Sequence, residues 1–73
     1  MSELVVVDTS NRITTIRMNR PEKKNAISLA MYQAMTAALS AAAADSQVRV
    51  VVLAGSDSCF SSGNDVTDFI KAG

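Results

Sequence analysis

Short runs of branched apolar residues open the chain. "ELVVVD" and "RITTIRM" are rich in β-branched side chains, and "DTSN" between them is made of turn formers. Leu4–Val7 and Arg12–Met18 are therefore predicted as the two strands of a hairpin. "NRPEKKNAIS" follows, polar and holding the sole proline, and reads as loop. From Ser28, a residue suited to cap a helix, strand-like alternation gives way to helical spacing. Met31, Met35, Ala38, Leu39 and Ala42 recur at three- and four-residue steps and mark one apolar face. Seven alanines between Ala34 and Ala44 raise helix propensity and let the helix lie close against whatever it covers. After "DSQVR", Val50–Leu53 is an unbroken apolar run, the pattern of a parallel strand covered on both faces. Arg12–Met18, the helix and Val50–Leu53 thus form one β-α-β unit, expected to be right-handed. "AGSDSCFSSGN" is a long loop, and "DVTDFIKAG" begins a short helix.

Length changes the reading of that pattern. A chain of 73 residues buries only roughly 60% of its unfolded surface, so a lone core is marginal. Three strands and one long helix also leave an apolar strand without a second layer. The chain is expected to continue, to pair with another chain, or to associate with copies of itself. No run reaches the roughly 18 apolar residues of a membrane span. "MSELVVVDTS" carries an early glutamate and no basic region, unlike a secretory signal. One cysteine cannot form an internal disulfide, so a reducing, cytoplasmic compartment is expected. Net charge is zero, yet Arg12, Arg17, Arg20, Lys23 and Lys24 concentrate the basic residues in one short block. Such a block is either solvated surface or the seat of a small anionic ligand such as a phosphorylated cofactor. Nucleic acid is disfavoured by the neutral balance and the shortage of aromatics.

The candidate chemistry lies in "CFSSGNDV", Cys59 to Val66. In parallel sheets ligands bind just beyond the carboxyl ends of the strands, and this turn follows such an end and leads into a helix. Main-chain N–H groups there suit an anion or a developing oxyanion. Gly63 can take positive φ and let another group approach. Asn64 tolerates left-handed geometry, and Asp65 or Ser62 can cap the helix. Two readings stay open on these residues alone: an N–H donor site at Gly63, Asn64 and Asp65, or a capped loop that binds nothing. "SSGND" is not a phosphate-binding P-loop, which needs a lysine and wider glycine spacing. "GSDSC" lacks the second glycine of a nucleophile elbow. Without histidine, serine and cysteine nucleophiles lack their usual base, and Cys59 beside Phe60 reads as a small buried side chain.

"MNRPEKKNAIS" followed, after a "VRVVVLAG" strand, by "CFSSGNDVTDF" resembles the crotonase family, the enoyl-CoA hydratases and isomerases. The wording "KKNAIS" with "SSGND" is most similar to the Δ3,Δ2-enoyl-CoA isomerase branch. The resemblance implies an α/β fold, the N-terminal part of a crotonase-like ββα spiral, over residues 1–73. It implies that the main-chain N–H of Asn64 is one of two oxyanion donors to an acyl-CoA thioester. It places coenzyme A, as part of the substrate, along Lys23, Lys24, Asn25 and Ala26 and along Ser62, Gly63, Asn64, Asp65 and Val66. Lys23 or Lys24 is expected near its phosphates, ahead of Arg12 and Arg17. No metal and no covalently bound cofactor are implied. The second donor and the catalytic glutamate fall beyond the position of Gly73, and Glu3 and Glu22 match no catalytic position. Self-association as a trimer or hexamer, or a companion C-terminal chain, is expected. The short length is read first as part of a longer enzyme. The alternatives are a non-catalytic CoA-binding or assembly module, or a remnant without function.

Overall fold

The computed structural model describes residues 4–72. Strand β1 (Val5–Ser10) pairs antiparallel with β2 (Ile13–Met18), from Val5 opposite Met18 to Ser10 opposite Ile13. The predicted hairpin is present, but its turn is shorter than "DTSN" suggests. Only Asn11 and Arg12 make the loop, with φ of 51° and 66°. Two successive residues at positive φ match the twist of the flanking strands, and asparagine accepts that geometry readily. Asp8, Thr9 and Ser10 are thereby kept in the ladder, where the Thr9 and Thr14 hydroxyls meet at 2.8 Å. Cross-strand pairing has overridden turn-forming composition.

The main helix, α1 (Leu29–Ala44), starts where its sequence predicts. The Ser28 hydroxyl accepts the N–H of Met31 at 3.2 Å, supplying a partner for a donor that the first turn leaves unpaired. Met31 is fully buried, Ala42 is buried, and Met35 and Ala38 pack against the core. Leu39, predicted on the same face, is instead 42% exposed. Met31, Met35, Ala38 and Ala42 already form a narrow seam, and Leu39 lies about 40° of helical rotation beyond its Met35 edge.

After α1, Arg49 and Val50 donate to Arg12 O and start β3 (Val50–Ala54) alongside β2. That pairing is parallel, from Ile13 beside Val50 to Arg17 beside Ala54, and gives the order β1-β2-β3. The central strand is therefore β2. Its alternate residues Thr14, Ile16 and Met18 are buried, and Ile16 and Met18 form the core with Val5 and Met31. β3 lies at an edge, and Val50, Val51, Val52 and Leu53 are 38–51% exposed. The covering expected for this strand on both faces is not supplied by the described residues. Among the described residues, no helix is long and apolar enough to cross a membrane.

Candidate functional site

Two loops leave the same end of the sheet and are laced together. The first runs from Asn19 to Ser28. Pro21–Lys23 form one 3-10 turn, with proline in the first helical turn, where its missing N–H costs nothing. Lys24 and Asn25 then both take positive φ, 52° and 56°, and reverse the chain. The second loop runs from Gly55 to Asp65. Its start admits no side chain, because a Cβ on Gly55 would lie 2.5 Å from the Phe60 Cα and carbonyl oxygen.

Asn25 forms the buried link between the loops. It is fully buried, its Oδ1 accepts the Arg20 N–H at 2.8 Å, and its Nδ2 donates to Cys59 O and Phe60 O at 3.1 and 3.2 Å. The Ser61 hydroxyl donates to Asn25 O at 2.8 Å, and Ser62 N–H donates to Lys24 O at 3.0 Å. Cys59 is half-buried, with its thiol directed to Lys24 O at 3.4 Å.

A single-residue parallel bridge between Ile27 and Asn64 completes the seam. Ile27 N–H donates to Gly63 O at 2.8 Å, and Asp65 N–H donates to Ile27 O at 3.0 Å. Those two bonds orient the Asn64 amide. Gly63 C=O and Asn64 N–H belong to one planar trans peptide and point in opposite directions. With the carbonyl held toward Ile27, the N–H is turned away from it. That N–H makes no hydrogen bond to any described residue. Gly63, at φ +102°, makes the required bend, in a conformation that other residues rarely adopt.

The space beside the bridge is a cleft of about 440 Å³, lined by Arg20, Lys23, Ala26, Asn64 and the first turn of the short helix α2 (Val66–Ala72), with Asp65 and Asp68. It lies past the carboxyl end of β2, because Arg20 follows that strand by two residues. Arg20 donates to Asp65 Oδ2 at 2.8 Å and to Ala26 O at 3.0 Å, in a mostly buried ion pair. Asp65 also caps α2, accepting Asp68 N–H on Oδ1 at 3.1 Å. That backbone hydrogen bond, and after it the Arg20 guanidinium, hold the Asp65 carboxyl below the usual carboxylate range. Asp68 is likewise engaged, its Oδ2 accepting Leu29 N–H at 2.6 Å, at the start of α1. Lys23 makes no ion pair with a described residue.

Of the residues read from the sequence, Lys23, Ala26, Asn64, Asp65 and Val66 share the cleft. Lys24, Ser62 and Gly63 stand in the adjoining loop segments, outside its lining, and Asn25 is sealed beneath them. Arg17 is bonded to Gly55 O at 2.8 Å, and Arg12 occupies the hairpin turn, so neither lines this cleft. Two pairings had no sequence signal. Arg20 and Asp65 are far apart along the chain, and although Asp65 was read as a cap and site residue, nothing in their spacing announces a pair. The same holds for Tyr32, whose hydroxyl donates to Asn64 Oδ1 at 2.6 Å while its ring meets Phe69 edge-on at 5.8 Å.

Residues 8–73 match the enoyl-CoA hydratase/isomerase family model. The chain belongs to the enoyl-CoA hydratase/isomerase family. It is 46% identical over 67 residues to human enoyl-CoA delta isomerase 2, covering 92% of this chain and 17% of that protein. To a probable enoyl-CoA hydratase of Rhizobium meliloti it is 38% identical over 66 residues, covering 90% of this chain and 26% of that protein. Among solved structures, Pseudomonas aeruginosa OdaA superposes with a TM-score of 0.91 at 48% identity, over 96% of this chain and 28% of that one. The enoyl-CoA hydratase of Mycobacterium tuberculosis superposes with a TM-score of 0.88 at 37% identity, over 93% of this chain and 31% of that one. The crotonase-type α/β architecture expected from the motifs is thus present. The chain spans about a sixth to a quarter of the curated relatives named here.

Proposed function

We propose that the enoyl-CoA hydratase/isomerase family protein carrying this chain binds an acyl-CoA in the cleft beside Asn64 and stabilises negative charge on its thioester oxygen. The observation that carries this reading is the Asn64 main-chain N–H, held away from Ile27 by the planar Gly63 peptide and bonded to no described residue. As a proton leaves a carbon near the thioester, or as water adds to the double bond, charge grows on the carbonyl oxygen. A donor fixed in advance helps that charged state most. Lys23, on the cleft wall and in no ion pair with a described residue, suits the phosphates of coenzyme A, with Lys24 next to it. Isomerisation is the favoured chemistry, on the wording of the two motifs and the likeness to the delta isomerase. A cytoplasmic location and self-association belong to the same proposal.

A non-catalytic CoA-binding or assembly role is the second reading, favoured by one observation. Both carboxylates on the cleft are committed as helix caps, Asp65 to Asp68 N–H and Asp68 to Leu29 N–H. Neither carboxylate is then held free as a base beside Asn64.

Replacing the 64 amide of the intact protein with an ester, by incorporating the α-hydroxy analogue of asparagine, tests the reading. The swap deletes one N–H and keeps the side chain. Turnover of an enoyl-CoA should fall on the order of 100- to 1000-fold. The ester also weakens Gly63 O as an acceptor, so an ester at residue 27, which deletes the N–H bonded to that oxygen, is the control. Equal losses from the two esters would sink the donor role. CoA binding without turnover in the unmodified protein would support the second reading.

A further inference from the structure

We infer that Tyr32 is a positioning residue that makes the Asn64 side chain a second hydrogen-bond donor of this site; the inference rests on the acyl-CoA reading above. The Tyr32 hydroxyl donates its proton to Asn64 Oδ1 at 2.6 Å. A carboxamide has one acceptor oxygen and one donor NH2 group on diverging bonds. With the oxygen engaged by Tyr32, the side chain has its NH2 group left to offer. That group has no hydrogen-bond partner among the described residues, and Asn64 lines the cleft. The residue therefore brings two unpaired donors to one wall, its main-chain N–H and its Nδ2 hydrogens. Both suit an acceptor oxygen on the bound acyl thioester.

Tyr32 is itself well placed to hold a direction. It stands one turn into α1, its ring is set edge-on to Phe69 of α2, and α1 is tied to α2 by Asp68 on Leu29 N–H. An Asn64 side chain on an exposed loop would otherwise sample several rotamers, and a donor that must first be ordered contributes less to a charged transition state. The Tyr32 hydroxyl selects one of them before the ligand arrives. It acts through Asn64 and need not touch the substrate.

The test uses kcat and KM of the intact protein on a short-chain enoyl-CoA for Tyr32→Phe, Asn64→Ala, Asn64→Asp and the Tyr32→Phe/Asn64→Ala double variant. Tyr32→Phe keeps the ring and its Phe69 contact and should lower kcat about five- to tenfold with KM changed less than twofold. Asn64→Asp keeps an acceptor for Tyr32 and the main-chain N–H but replaces the NH2 by an anionic oxygen, so its kcat should fall further than that of Asn64→Ala. The double variant should match Asn64→Ala alone, because Tyr32 acts only through that side chain. Multiplicative losses, or a Tyr32→Phe enzyme equal to wild type, would overturn this inference and leave the main-chain donor standing. An unmodified protein inert toward enoyl-CoAs would overturn the acyl-CoA reading itself, and this inference with it.

Discussion

Asn25 offers a quantitative check on how the two loops are joined. Replacing it with alanine removes the Oδ1 bond to Arg20 N–H and the shared Nδ2 bond to Cys59 O and Phe60 O. At about 1 kcal/mol net for each of these, and about 1 kcal/mol more for leaving a buried main-chain group unpaired, the loss is about 3 kcal/mol. Alanine also has to adopt the positive φ of 56°, which asparagine tolerates and which costs most other residues about 1 kcal/mol. Asn25→Gly escapes that second term, so the glycine variant should be milder by about 1 kcal/mol. Because the bonds tie loop to loop and leave the hairpin core alone, the loss should register locally. Amide hydrogen exchange reads it directly: since 1.4 kcal/mol is a factor of ten, protection at Ile27, Ser62 and Asp65 N–H should fall on the order of 1000-fold in the alanine variant and 100-fold in the glycine variant. Met35 N–H, in the middle of α1, should change little. If the three loop amides exchange at wild-type rates, or if α1 loses protection equally, Asn25 is not the link described here.

Other perturbations separate the remaining contributions. Gly55→Ala places a methyl 2.5 Å from Phe60 backbone atoms and should lower the melting temperature more than Gly63→Ala, which meets no atom within 4 Å and costs only its backbone conformation; the reverse order would refute the steric argument. Met31→Ala empties a fully buried site and should cost about 2–5 kcal/mol, against about 1 kcal/mol for Ser28→Ala at the helix cap, as measured by denaturant unfolding. The Asp65 carboxyl has a lower pKa folded than unfolded, so the unfolded chain binds the extra proton. Its contribution is complete above the ordinary carboxylate pKa and fades as pH falls through the depressed folded value. A melting-temperature profile in that acid window should flatten in Asp65→Asn; an unchanged profile would assign the acid sensitivity elsewhere.

How far the sequence carried depends on the range of the forces involved. Helix α1 was legible from Ser28 onward because capping and three- and four-residue spacing are local. The strands were legible as types, yet β1 ran past Val7 to Ser10 because its partner β2 holds it there. Leu39 was misplaced because a Met and Ala seam needs only a narrow face, and width is set by the sheet it meets. The bend at Gly63 was readable from glycine itself. The Arg20–Asp65 pair, the Asn25 link and the Tyr32–Asn64 bond were not, because each joins residues brought together only by the β-α-β path. Within one sequence nothing distinguishes those partners from other polar residues.

The Ile27–Asn64 bridge has a consequence for mutational tolerance. The direction of the amide at 64 is inherited from the carbonyl of its neighbour and does not depend on what residue 64 is. Genetic drift there can alter size, polarity or charge while the donor persists, with proline as the one coded residue that abolishes it. Position 27 carries the mirror restriction, since proline there would release the carbonyl. The backbone thus keeps one property constant and leaves the side chain open to selection for another.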